Sequence, residues 1–431
     1  MQNEPEEEQP LSKSQQAAFD DACSGKNLFI TGAGGVGKSF LIHRIKKQLE
    51  KQGKQVALTS STGISAINIG GNTIHSFMGL GASSNVSALA RVTKKQVGMT
   101  RNYIGRYDVV IVDEVSMLTG DYIDMMNAWF KRIYANSKLF GGRQMLFVGD
   151  FLQLPPVITD DDYVTSKYAF QAEEWSRYTI TEHYLTKSFR QDNKKLKYFL
   201  DCIRFGKVTD EVLDYFNSRV RIDLKDDEPV RLYPHKNTAH KINYQELDSL
   251  DGEEFEYEAE FTGDDKWQQA IAKGVIAEVA LYVKVGAPVL FIKNNPPEGY
   301  YNGMKGTIIE CTDDTITVET LDGDKITVEP ATWERCNNDG KVLATMTQMP
   351  LILGWAITIH KSQGMTLDYM SCDLSNCFEY GQAYVALSRI RTLEGLSIDK
   401  PISKRDIKAD KIIIDYYRRL ITAQRKLKNL A

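Results

Sequence analysis

The segment Gly32-Ala33-Gly34-Gly35-Val36-Gly37-Lys38-Ser39 matches GxxxxGK[ST] at every fixed position. Its chemistry is phosphate binding. Glycines let successive backbone N–H groups turn inward around anionic oxygens, and the N-terminus of a following helix adds partial positive charge. Lys38 is placed to reach β- and γ-phosphates, and Ser39 to ligate Mg²⁺. A second element, Asp113-Glu114, ends the apolar run 109–112. A carboxylate at such a strand end can hold Mg²⁺ through water, and its neighbour can orient or deprotonate an attacking water. Alone, a glycine-rich turn can merely start a helix, as can an acidic pair. Together, in this order, they specify a site for a nucleoside triphosphate with Mg²⁺. Kinases, GTPases, transporters and motors all satisfy that description.

Positioning these groups requires a sheet. Runs 28–31, 56–60, 109–113 and 145–149 are short and apolar, as strands buried on both faces are. Amphipathic stretches 40–52 and 121–134 lie between them, and this alternation predicts a doubly wound parallel sheet. A second α/β pattern begins near Leu185. From 252 to 350 it is interrupted by short strands that alternate in and out (307–310, 315–319, 325–329), with Asp322-Gly323 where a hairpin turn belongs. This predicts a small β-barrel inserted into the second unit. The α/β character returns at Leu351 and ends in an expected helix, 409–428.

Composition sets outer bounds. The 431 residues predict two to four globular units, and 42% hydrophobic with 26% charged residues suits a folded chain. No apolar run approaches the roughly 20 residues that span a bilayer. Residues 1–10 are rich in Glu and are expected to form a disordered acidic tail, with no secretory start. The six cysteines are scattered without a CxxC pair, so free thiols in a reducing compartment, the cytoplasm of a bacterial or viral-type protein, are expected. A net charge of −4 neither indicates nor excludes nucleic acid.

Further blocks decide the class. Leu11-Ser12-Lys13-Ser14-Gln15 precedes the phosphate loop; Ser61-Thr62-Gly63-Ile64-Ser65-Ala66 and Asn72-Thr73-Ile74-His75-Ser76-Phe77 follow it. Then come Asp113-Glu114-Val115-Ser116-Met117, Gly149-Asp150-Phe151-Leu152-Gln153-Leu154-Pro155-Pro156-Val157 and Leu185-Thr186-Lys187-Ser188-Phe189-Arg190-Gln191. Ile359-His360-Lys361-Ser362-Gln363-Gly364-Met365-Thr366-Leu367-Asp368 and Gly381-Gln382-Ala383-Tyr384-Val385-Ala386-Leu387-Ser388-Arg389 close the series. In these nine blocks the chain resembles the PIF family of DNA helicases, and the resemblance runs from Leu11 to about Tyr417. That family is the 5′-to-3′ branch of superfamily one related to the RecD helicases. Residues 121–142 also resemble the stretch that distinguishes PIF proteins from RecD.

The resemblance implies an α/β fold of two RecA-like parallel-sheet domains, 11–186 and 187–251 with 351–431, and ATP and Mg²⁺ in the cleft between them. It implies a small wedge insertion in the first domain, at about 75–106, and reads the 252–350 insertion as SH3-like. Gln15 would recognise the adenine edge, and Gly34, Gly35, Val36, Gly37, Lys38, Ser39 and Gly364 would surround the phosphates. Ser39 and Asp113 would hold the metal, Glu114 and Gln153 would address the attacking water, and Arg190 and Arg389 would act as arginine fingers. Strand contacts would come from Thr62, Gly63, Thr73, His75, Phe77, Pro155, Pro156, Thr358, His360, Lys361 and Ser362. Read without the family, Arg190 is an arginine in a polar segment, Arg389 a helix C-terminal cap, Phe77 a core aromatic and His75 a structural histidine. Pro155-Pro156 read alone terminates a strand.

The implied activity is ATP-dependent 5′-to-3′ DNA unwinding in replication, repair, recombination or genome maintenance. Single-stranded DNA and strand–duplex junctions are the implied partners, with G-quadruplex DNA also implied, and a monomer the implied form. Three other readings stay open: an ATPase-dead scaffold on DNA, an RNA helicase, and a translocase that does not separate strands. DNA-stimulated turnover, a DNA-versus-RNA comparison and an unwinding assay separate them.

Overall fold

The computed structural model describes residues 10–80, 86–158, 164–177, 180–191, 193–224, 229–336 and 342–428. Nine residues of the expected acidic tail, and 81–85 within the expected wedge insertion, lie outside them.

The strands β1 (Leu28–Gly32), β2 (Val56–Ser60), β3 (Asn72–Thr73), β4 (Val109–Asp113), β5 (Gln144–Gly149) and β6 (Thr181–Leu185) form one parallel sheet in the order β3-β2-β4-β5-β1-β6. Alternate side chains serve opposite faces. Leu28, Ile30, Val109, Ile111, Leu146 and Val148 pack under the helices Lys13–Cys23 and Lys38–Lys51. Phe29, Val110, Val112, Met145 and Phe147 face the other way, against Trp129 and Phe130 of the helix Gly120–Tyr134. Both faces are covered, which is why these runs carry no polar alternation.

A second parallel sheet runs Ala356–Thr358, Val230–Tyr233, Met370–Cys372, Leu396–Ile398. Between its first two strands in sequence lies the antiparallel insertion. Its largest sheet runs Lys325–Val328, Ile316–Thr320, Lys305–Cys311, Pro288–Phe291, Leu351–Leu353. Sheets of three and two strands flank it. The turn at Asp322-Gly323 is present, with Gly323 at φ +87° and its N–H donating to Thr320 O at 3.0 Å. Leu351–Leu353 pairs with Pro288–Phe291, so the antiparallel unit extends past the expected limit at 350.

The C-terminal helix Lys411–Lys428 follows the second sheet in sequence but packs on the first unit. Ile413, Tyr416, Tyr417 and Leu420 join the core around Phe29 and Trp175. Expecting it with residues 351–431 in the second domain was wrong on packing. Its apolar stripe finds its partner surface beside β6, and Gln424 donates to Glu182 O there at 2.9 Å.

A buried polar network ties the lobes together behind the phosphate loop. Arg204, at the end of the helix Lys194–Arg204, forks onto Asp150 at 2.7 and 3.0 Å, and both side chains have no exposure. The Tyr417 hydroxyl donates to Asp150 at 3.1 Å and accepts from Phe151 N–H at 3.1 Å, while sharing a 2.6 Å hydrogen bond with Thr31. Arg204 also donates to the Tyr184 hydroxyl at 2.7 Å, so the buried ion pair is supported by further hydrogen bonds on both partners, as burial of charge requires.

Candidate nucleotide and strand-binding site

β1 delivers the phosphate loop and the helix Lys38–Lys51 leaves it, with Gly37 in the left-handed region at φ +76°. The Lys38 ammonium folds back, donating to Gly32 O at 2.9 Å and Ala33 O at 3.2 Å. Burial lowers its pKa, against the pull of Asp150, Glu114 and Asp113. Gln15 is buried beside the loop: its amide N–H donates to Val36 O at 3.2 Å and its carbonyl accepts from Ser12 N–H at 2.9 Å. In this arrangement the amide N–H end of Gln15 braces the loop and its carbonyl end caps the helix Lys13–Cys23.

β4 ends in Asp113-Glu114. Glu114 adopts a left-handed backbone, φ +50°, uncommon for a side chain with a Cβ and a form of strain that concentrates at functional sites. Glu114 Oε2 is buried with no hydrogen-bond partner. Burial, then the neighbouring Glu114 charge, pushes the Asp113 carboxyl up to about 7. Two adjacent buried carboxylates with an orphaned oxygen suit a divalent cation, and Ser39 lines the same cleft of about 920 Å³. Ser39 and Asp113 supply few protein ligands, as Mg²⁺ sites on phosphates do. Among the described residues no His, Cys, Asp and Glu cluster of three or more forms a self-contained metal cage.

The opposite wall brings arginines. A Cβ added to Gly34 would lie 3.3 Å from Arg190 Nη1 and 3.4 Å from Arg389 Nη2, so both guanidiniums converge on the phosphate loop. A Cβ on Gly35 would stand 2.4 Å from that of Arg190, so only glycine lets the two segments meet. Arg190 donates to Ser388 O at 3.1 Å; Arg389 donates to Val385 O and to Ser388 Oγ, each at 2.8 Å. Burial, then repulsion by Arg389, lowers the Arg190 pKa to about 9. Burial lowers that of Arg389 as well. The pair therefore faces the loop short of negative charge.

Gln153 is buried at this junction and accepts from Gln363 Nε2 at 3.4 Å. Gln363 and Gly364 both line the cleft. Gln363 was not among the expected site residues, nor were Tyr384 and Phe189. The Tyr384 hydroxyl accepts from Gly34 N–H at 3.0 Å, and the half-exposed Phe189 ring stands beside Gly37 in the cleft. Each lies inside a block already singled out, one or a few positions from an expected residue; no local signal said which of the neighbours would face the nucleotide.

The expected strand contacts divide into two groups. Thr62, Gly63, Thr73, His75, His360 and Lys361 are partly exposed. Thr62 and Thr73 accept from the N–H groups of Ser65 and Ser76, so their hydroxyls also cap short helices. Phe77 instead belongs to the core, against Tyr107 and Phe130, where a base has no access. Pro155 and Pro156 are buried too, and among the described residues of that loop Val157 and Ile158 are exposed. Thr358 and Ser362 are buried, with Thr358 Oγ1 accepting from Lys361 N–H and Ser362 Oγ donating to Ile359 O. Their hydroxyls shape the turn that presents His360 and Lys361, and do not themselves reach solvent.

A phosphate loop on one parallel sheet, met by paired guanidiniums from a second lobe, defines a two-lobed P-loop ATPase. The PIF1-like helicase family model matches residues 10–210. The ATP-dependent DNA helicase Pif1 of Bdellovibrio bacteriovorus is 34% identical over 416 residues, 96% of this chain and 93% of that protein. Bacteroides sp. Pif1 in complex with ADP-AlF4 matches with a TM-score of 0.85 at 31% identity, covering 96% of this chain and 98% of that one. Bacteroides Pif1 bound to ssDNA matches with a TM-score of 0.67, also at 31% identity, over 97% and 98% of the two chains. The chain belongs to the PIF1-like helicase family.

Proposed function

We propose that this protein is an ATP-dependent DNA helicase that moves 5′ to 3′ on single-stranded DNA and opens duplexes during replication, repair or recombination. The observation that carries the reading is the convergence of Arg190 and Arg389 on Gly34, opposite Ser39, Asp113 and Glu114.

The proposed cycle follows from these residues. A triphosphate entering the loop draws Lys38 off the Gly32 and Ala33 carbonyls. Ser39 and Asp113 would hold Mg²⁺, which offsets phosphate charge when bound. Glu114 accepts the proton of the attacking water, and Gln153 with Gln363 orients that water. Charge spreading over the γ-phosphoryl oxygens is met by Arg190 and Arg389, which stand where Lys38 does not reach. Two loops link this chemistry to the strand. Residues 149–158 carry Gln153, bonded to Gln363 behind the cleft wall, and the exposed Val157; residues 359–364 carry Gln363 at the cleft and His360 with Lys361 outside it. Closing the cleft therefore moves strand contacts, because each loop joins a residue at the lobe junction to residues on the exposed surface.

A working monomer fits a cleft whose two walls come from one chain. Strand–duplex junctions are proposed substrates, and G-quadruplex DNA joins them on family resemblance alone. Five described cysteines are free, which suits a reducing cytoplasm. Among the described residues no helix is long and apolar enough to cross a membrane.

Partial duplexes with a single 5′ or 3′ tail test the reading. ATP-dependent unwinding from 5′ tails is expected. Unwinding only from 3′ tails would overturn the polarity, and absence of DNA-stimulated turnover would overturn the motor.

A further inference from the structure

The loop that leads into the helix Gln382–Leu387 holds an aromatic ring out in solvent on a pinned backbone. Phe378 is 47% exposed. Its N–H donates to Gln382 Oε1 at 3.0 Å and its carbonyl accepts from Lys408 Nζ at 3.2 Å. Its ring stacks on that of the exposed His235, centroids 5.1 Å apart and planes 14° from parallel. A singly exposed hydrophobic residue is ordinary on a protein surface; what sets Phe378 apart is a backbone held from both sides and a second ring behind it, which present a flat apolar face in one orientation.

The surroundings say what that face meets. Glu379, the next residue, lies near enough to His360 to bear on its charge, and Lys236, next to His235, lies near Lys361. The same loop abuts the first lobe. Gly381 is at φ +73°, and a Cβ there would stand 2.3 Å from Gln153 O, so the loop sits over the segment that ends in Val157. Across this seam the Lys167 ammonium lies 5.4 Å from the Tyr380 ring. The ledge is thus continuous with the partly exposed His360 and Lys361 and edged by ammonium groups suited to phosphates.

We infer that Phe378, backed by His235, is a stacking platform for one unpaired nucleobase of the bound strand. This rests on the helicase reading and deepens it. Every base has a π-face, so the platform tolerates any sequence, as a translocating enzyme requires. Lys236 and Lys361 then contact the backbone on either side of the stacked nucleotide.

The test measures affinity of the full chain for an oligothymidylate and for the same oligomer carrying abasic sites. Loss of one stack, about 1–3 kcal/mol, predicts that Phe378→Ala weakens oligothymidylate binding roughly 5- to 150-fold. The substitution should change binding of the abasic strand little, and Phe378→Trp should retain affinity, with its fluorescence quenched by the oligomer. The salt slope of Phe378→Ala should match the parent, whereas Lys361→Ala should make it shallower. If Lys361→Ala weakens binding and Phe378→Ala does not, the platform is refuted and the helicase reading stands. If neither matters while DNA still stimulates turnover, the strand lies on another face and the platform falls with its location. Equal loss on normal and abasic strands would make Phe378 structural and likewise refute the inference.

Discussion

Arg190→Gln separates a catalytic arginine from a structural one. In the resting protein Arg190 makes a 3.1 Å bond to Ser388 O and is repelled by Arg389. Replacing it removes a hydrogen bond with a net contribution of about 0.5–1.5 kcal/mol and also removes a like-charge repulsion. The two effects oppose, so the nucleotide-free protein should unfold within about 1 kcal/mol of the parent. With a pKa lowered only to about 9, Arg190 stays almost wholly protonated at pH 7.5 and meets ATP as a cation. Arginine fingers contribute about 10³–10⁵-fold to turnover, and 10³ corresponds to about 4 kcal/mol of barrier. DNA-stimulated turnover should therefore fall at least about 10³-fold, while ATP affinity changes far less. Single-turnover hydrolysis, a competition assay for ATP and thermal unfolding of the apo protein measure the three quantities on one variant. Equal losses in ATP affinity and turnover would make Arg190 a ground-state phosphate ligand. A collapse of apo stability would make it a structural strut, and either result refutes the reasoning.

Glu114→Gln should bind ATP but turn it over about 10²–10⁴-fold more slowly; near-parental turnover in a steady-state assay would remove Glu114 as the base. Arg204→Ala leaves Asp150 buried and unpaired, so a loss of about 3–5 kcal/mol in denaturant unfolding is expected, and the double variant Asp150→Asn with Arg204→Met should recover part of it. Burial alone lowers the His75 pKa, so below its ordinary value the unfolded chain binds a proton that the folded chain resists. Its contribution is present above that value and lost as pH falls through it, so any stability advantage of the parent over His75→Gln should shrink between pH 7.5 and 5.5. An unchanged or growing advantage in thermal unfolding would reverse that sign.

How much was legible depended on how local the cause was. The phosphate loop, the apolar strands around it and the Asp322-Gly323 turn are set by backbone preferences of adjacent residues and by side chains alternating across a pleat. Those patterns are complete in the sequence, and β2 and β4 span the residues expected of them. The family blocks likewise named the parts of the cleft, because each is a short run whose order survives in the chain.

Tertiary structure decided the rest. Phe77 faces inward because Tyr107 and Phe130, distant in sequence, enclose it, and Pro155-Pro156 is buried while Val157 beside it is not. The helix Lys411–Lys428 is amphipathic from its sequence, yet which lobe it covers depends on where uncovered apolar surface remains, and that surface lies beside β6. Gln363 and Tyr384 acquire their places at the lobe junction only when the two lobes meet, since their partners Gln153 and Gly34 are on the other lobe. Local sequence writes the conformation of a segment. The neighbour that a side chain finally touches is set by the folding of the whole chain, because burial is shared among residues that no local pattern connects.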